Sequence, residues 1–170
     1  MQQAPIKEKR TRTPEQALAS LMRLCARAEK SQDDARRLMR GWGLSERDGE
    51  QVLARLLKDR FIDDGRYAEA FVRDKLRLSG WGEYKIRTAL QRKHIAKELI
   101  DAALVQADRS GMADRLRRQL ERKMRTVKYA TRYELKTKLI RYGLSLGYDY
   151  EAVLDAAAGL VTDTETCDEF

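Results

Sequence analysis

The sequence predicts an all-α protein of three tandem three-helix repeats in an elongated, curved arrangement. Three observations predict it. Both prolines, Pro5 and Pro14, fall in the first fourteen of 170 residues, and the rest is rich in Ala, Leu, Arg, Glu, Lys and Gln with few β-branched residues. Apolar residues recur at spacings of three and four, in narrow one-sided stripes. A long-short-medium order of helices then returns at a fixed interval. Leu21, Phe71 and Leu120 are 50 and 49 residues apart, and Leu44, Ile95 and Tyr148 are 51 and 53 apart. Units of this size bury little surface alone and lean on their neighbours. A two-domain helical protein with accidental spacing is the competing architecture.

The elements follow in order. Residues 1–12 form a basic arm, expected to be flexible, with its charges between Lys7 and Arg12. The first repeat, 13–60, opens on Thr13-Pro14-Glu15-Gln16, an N-cap, a proline at the first helical position and a capping-box glutamine. Its stripes are Leu18, Leu21, Met22 and Cys25, then Leu53, Leu56 and Leu57, with caps at Ser31 and Ser45 and a stop at Gly41-Trp42-Gly43. The second repeat, 61–108, carries Ala68, Phe71, Val72 and Leu76, a stop at Ser79-Gly80-Trp81-Gly82, then Ile86 and Leu90, then Leu99, Ile100, Ala103 and Leu104. The third, 109–160, begins after Ser110-Gly111 with Leu116, Leu120, Met124 and Val127. Thr131-Arg132-Tyr133-Glu134 starts its second helix, followed by Leu135 and Leu139, and Val153, Leu154 and Ala157 mark its last. Residues 161–170 read as a flexible acidic tail.

Charge excludes several functions and suggests one class of partner. No run approaches the roughly 18 apolar residues of a membrane span, and the N-terminus lacks the apolar core of a signal peptide. Cys25 and Cys167 cannot build a disulfide framework or a zinc site, so a reducing cytoplasm is expected. The net charge of +8 is unevenly spread: residues 109–141 hold twelve Lys/Arg against Asp114, Glu121 and Glu134, whereas the chain after Arg141 holds seven acids and no base. Segregation of this kind points to a polyanion or an acidic protein surface.

The run Phe61-Ile62-Asp63-Asp64-Gly65-Arg66-Tyr67-Ala68-Glu69-Ala70-Phe71-Val72-Arg73 resembles the most characteristic segment of the RecX family of RecA regulators. Gly80 or Gly82, Ile86, Leu90, Ile95 and Ala102-Ala103-Leu104 follow in the family's order, and Ala17-Leu18 through Leu56 are similar to its first repeat. The resemblance covers about residues 14–158. Lys93-His94-Ile95 departs from it, standing where a glycine-containing turn is common, and the third repeat is unusually basic. The resemblance implies a non-catalytic regulator in DNA repair, recombination and the SOS response. Such a protein lies along the RecA–DNA filament and modulates its ATPase, strand exchange and growth, usually as an inhibitor. A monomer without a long heptad seam, weak and non-specific contact with single- or double-stranded DNA, and no cofactor complete the expectation.

The residues themselves favour binding over catalysis. His94 is the only histidine, which excludes His-based triads and metal clusters. Asp63 and Asp64 are paired carboxylates, but at a helix start they suit capping, and with Tyr67 and Phe71 they are expected to be structural. At about 100° per residue, Arg115, Arg118, Arg122 and Arg125 fall opposite Leu116, Leu120, Met124 and Val127. Four guanidiniums suit bidentate contact with phosphate or carboxylate. Lys128, Arg132, Lys136, Lys138 and Arg141 extend this surface beside Tyr129 and Tyr133. Trp81, Tyr84, Lys85 and Arg87 form a second candidate patch, although a tryptophan at a helix junction also serves to cap a small core. A direct DNA- or RNA-binding protein of the helix-turn-helix repressor kind is the alternative function.

Overall fold

The computed structural model describes residues 11–162; most of the arm and nearly all of the acidic tail expected above lie outside the described residues. Those residues form nine helices and no strand. None of the helices is long and apolar enough to cross a membrane.

In the first unit, α1 (Pro14–Cys25) starts on a complete capping box, Thr13 Oγ1 accepting from the Gln16 N–H and Gln16 Oε1 from the Thr13 N–H. α2 (Gln32–Gly41) starts on Ser31, boxed with Asp34, and α3 (Glu46–Lys58) on Ser45. In the second unit, Asp63 caps α4 (Asp64–Arg77) through the Gly65 and Arg66 N–H groups, ahead of α5 (Glu83–Arg92) and α6 (Lys97–Val105). The third unit holds α7 (Met112–Thr126), α8 (Arg132–Ser145) and α9 (Tyr150–Thr162). At α8 the box is divided: Thr131 accepts from the Glu134 N–H, while the Glu134 carboxylate accepts from Ala130.

Each triplet closes on its own core, because a stripe two residues wide is covered by two neighbouring helices. Leu21, Met39, Leu53, Leu56 and Ile62 fill the first; Val72, Leu76, Ile86, Leu90 and Ile100 the second; Leu116, Leu120, Leu135, Leu139 and Val153 the third. In the second unit Val72 takes the fully buried place and Phe71 a flanking one, against Trp81. The turn between second and third helices has one residue with positive φ in every unit: Gly43 at 82°, His94 at 58° and Gly147 at 89°. Histidine tolerates the left-handed region better than branched residues do, so Lys93-His94 makes the turn that glycine makes in the flanking units.

The units join by repeating one geometry. The start of the second helix in one unit meets the first helix, and the turn between the second and third helices, of the next. Between units one and two the contacts are polar. Asp64 accepts from the Gln32 N–H at 2.9 Å and from Gln32 Nε2 at 3.1 Å, and Arg66 pairs with Glu29 at 3.1 Å. Lys93 donates to Asp34 at 2.7 Å, and His94 Nδ1 lies 3.0 Å from Asp33. Between units two and three these hydrogen bonds end on backbone carbonyls. The Gly82 and Tyr84 N–H groups donate to the Leu146 and Gly147 carbonyls at 2.7 and 3.1 Å. Gln119 Nε2 and Tyr148 Oη donate to the Gly80 carbonyl at 2.8 and 3.2 Å.

Candidate functional site

The basic surface is built from α7 outward. Leu116 and Leu120 hold one face of this helix in the third core, so the angular spacing of the sequence places Arg118, Arg122 and Arg125 in solvent. Arg115 sits at the flank, half-buried, with Nη2 donating to the Ser110 carbonyl at 2.8 Å. Its Nε is buried and meets no partner among the described residues. Gln119, between the arginines, is nearly buried and binds Gly80 of the second unit. That contact brings the end of α4 alongside, and with it Arg77.

The result is a cleft of about 410 Å³ lined by Arg77, Arg115, Arg118, Arg122 and Arg125, with Ser79, Gly80 and Gln119 at its floor. Its one acid, Glu121, is held by Arg117 at 3.1 Å. Arg77, Arg118, Arg122 and Arg125 make no ion pair among the described residues. Five guanidiniums around one opening, with little internal counter-charge, repel one another and favour an anionic ligand. Arg77 was not among the residues singled out from sequence; it stands 38 positions before Arg115, and only the packing of Gln119 on Gly80 brings the two together.

The rest of the predicted surface divides. Lys128, Arg132 and Arg141 are exposed and Lys136 half-exposed. Lys138 is engaged, binding Glu134 at 2.6 Å and the Lys128 carbonyl at 2.7 Å, so it tethers the α7–α8 connection. The second patch is drawn inward. Trp81 packs on the second core, edge-on to Phe71, with the Lys75 and Lys85 ammonium groups 4.6 and 4.5 Å from its ring centroid. Arg87 pairs with Asp101, leaving Tyr84, 67% exposed, as the open member.

The family-motif residues are structural in position. Asp63 caps its own helix, but Asp64 turns away to the start of α2 in the unit before, so the two carboxylates serve different units. Tyr67 is buried, with the Lys93 ammonium 5.5 Å from its ring centroid. Burial pushes the Tyr67 hydroxyl up. Burial also opposes ionisation of Asp34, yet the Lys93 ammonium and the Ser31 N–H and hydroxyl outweigh it and hold that carboxyl below its usual range. The arrangement can bind anions, and its one lining carboxylate, Glu121, is paired with Arg117.

Comparison with known proteins gives this geometry a setting. A profile of the second three-helix domain of RecX matches residues 63–104. The chain is 34% identical over 108 residues to the regulatory protein RecX of Shewanella oneidensis, covering 56% of this chain and 84% of that protein. It is 31% identical over 134 residues to the regulatory protein RecX of Clostridium beijerinckii, covering 78% of this chain and 62% of that protein. The chain therefore spans less than two thirds of the length of such clostridial relatives. Among solved structures, a regulatory protein RecX matches with a TM-score of 0.69 and 21% identity, covering 82% of this chain and 68% of that one. RecX from Lactobacillus salivarius matches with a TM-score of 0.69 and 16% identity, covering 88% and 96%. At those identities the likeness is one of fold.

Proposed function

The chain belongs to the RecX family, and on that premise we propose that it is a non-catalytic cytoplasmic regulator of RecA. It binds along the RecA–DNA filament and lowers its ATPase, strand exchange and growth. The observation that supports this reading best is the five-arginine cleft, which joins residues of two units into one anion-attracting surface. No bond need be made or broken. A ligand that prefers one state of an assembly shifts it by the difference in binding free energy.

The arginine cleft, continued by Lys128, Arg132, Lys136 and Arg141, supplies the attraction to phosphate or acidic protein. Lys138, Trp81, Lys85 and Arg87 contribute chiefly by holding that surface in place. Contact with bare DNA through exposed arginines alone is weak, steeply salt-dependent and indifferent to sequence.

The test is the triple charge reversal Arg118→Glu, Arg122→Glu and Arg125→Glu, all at exposed positions. It should keep its helical circular dichroism and lose roughly tenfold or more in co-sedimentation with RecA filaments and in inhibition of their ATPase. A folded triple variant that inhibits as well as the parent removes the cleft from the mechanism. Tight, sequence-specific binding of the parent to bare duplex across a salt series would support the repressor alternative instead.

A further inference from the structure

On the other side of α7 lies a second depression, opposite in character. It measures about 820 Å³, twice the arginine cleft, and runs between the first turns of α7 and the length of α9. Met112, Ala113 and Leu116 form one wall, and Ala152, Ala156 and Gly159 the other. Tyr148 and Gly147 close one end, beside the exposed ring of Tyr84.

α9 accounts for the groove. Val153, Ala157 and Leu160 are spent on the third core, yet the helix also carries Ala152 and Ala156 on the adjoining face, half-covered, and Gly159, exposed. A β-carbon added at Gly159 would meet nothing within 4 Å. A helix apolar beyond its buried stripe is normally covered on both faces. Side chains no longer than a methyl group along this wall let another helix approach closely.

The rim says what kind of helix. Asp114, Asp149 and Asp155 surround the opening and make no ion pair among the described residues. Its two arginines are engaged, Arg109 with Glu83 and the Leu104 carbonyl, Arg117 with Glu121. On a chain of net charge +8, this is a negative frame around an apolar floor.

We propose that the α7–α9 groove is a protein-docking site whose occupant is an amphipathic helix of a partner protein, with small apolar residues along one face and lysines or arginines on its flanks. α7 then divides the work: its arginine face meets polyanion and its apolar face meets protein. The assignment rests on the regulatory reading above only in taking the partner from the RecA filament.

The full chain is compared with Gly159→Leu, which fills the opening while improving helix propensity, and with Asp155→Lys, which reverses the rim. Each should bind nucleotide-loaded RecA–DNA filaments about tenfold more weakly in co-sedimentation. Bare fluorescent oligonucleotide should bind no more weakly than to the parent. Filament binding by both variants within about twofold of the parent overturns the groove and leaves the regulatory reading standing. If the parent itself ignores filaments, that reading fails and the groove is decided with a short helical peptide of lysine, alanine and leucine. Amide shifts confined to residues 112–116 and 152–159, lost in Gly159→Leu, uphold the site; their absence overturns it. A parent dimer that Gly159→Leu dissociates assigns the groove to a second copy and overturns it too.

Discussion

The two junctions between units sit at the same place in the repeat and are made of different materials. Between units one and two, every side-chain hydrogen bond described above involves a carboxylate, two of them facing Arg66 and Lys93, and no residue belongs to both cores. Between units two and three, Met112 packs on both cores, backbone meets backbone, and glycines allow the approach. A β-carbon on Gly82 would lie closer than 3.0 Å to the Gly147 carbonyl and the Tyr148 nitrogen. The same topology thus yields one joint held mainly by charges that salt screens and one held mainly by backbone pairing that it does not, to which the exposed Arg109–Glu83 pair adds. The arginine cleft and the apolar groove both straddle the second joint, where their walls are held in fixed relation.

The contrast can be broken from its rigid side. Gly82→Ala forces backbone apart and should cost about 3 kcal/mol, in the upper range for overpacking, with lost protection of the Gly82 and Tyr84 amides in hydrogen exchange. Unchanged protection there would show that the glycine is not what brings the units together.

On the ionic side, Asp34→Asn leaves Lys93 partly buried without its carboxylate and should cost about 1–2 kcal/mol in denaturant unfolding. Because the folded Asp34 carboxyl titrates below its ordinary range, its contribution is complete above the unfolded value and fades as pH falls through the folded one. Parent and variant should therefore converge in acid. Burial would lower the Lys93 ammonium, but the Asp34 carboxylate overrides it and raises that group, so the contribution of Lys93 is present below its unfolded value and lost as alkali passes the folded one.

Salt sharpens the comparison further. Raising sodium chloride severalfold should speed exchange of the Gln32 amide, held by Asp64, and leave Gly82, held by Leu146, unaffected. Equal responses at the two amides would erase the distinction. The smallest effect is expected at His94→Gly. It relieves a positive φ and loses only an exposed contact with Asp33, for a net gain of about 0.5 kcal/mol in thermal unfolding.

The helices were legible because their determinants are local. Thr13 with Gln16, Ser31, Ser45, Asp63 and Thr131 are caps within three residues of what they cap, and the arginine face of α7 follows from its own spacing. What escaped sequence reading depends on the meeting of distant segments. Asp64 was expected to serve its own helix start and instead receives Gln32, 32 residues away. Arg77 enters the cleft through a contact of Gln119 with a carbonyl 39 residues earlier. Arg87 is bound by Asp101, which no helical spacing pairs with it. The apolar groove was hidden because small residues on a helix carry the same pattern whether a core or an absent partner covers them.

The Gly80 carbonyl receives both its donors, Gln119 and Tyr148, from the third unit, the latter 68 residues further along the chain. During translation this oxygen emerges well before either group that will satisfy it. The lip of the middle bundle therefore stays hydrated until the last bundle has left the ribosome, and a nascent chain halted before residue 119 carries that edge unfinished.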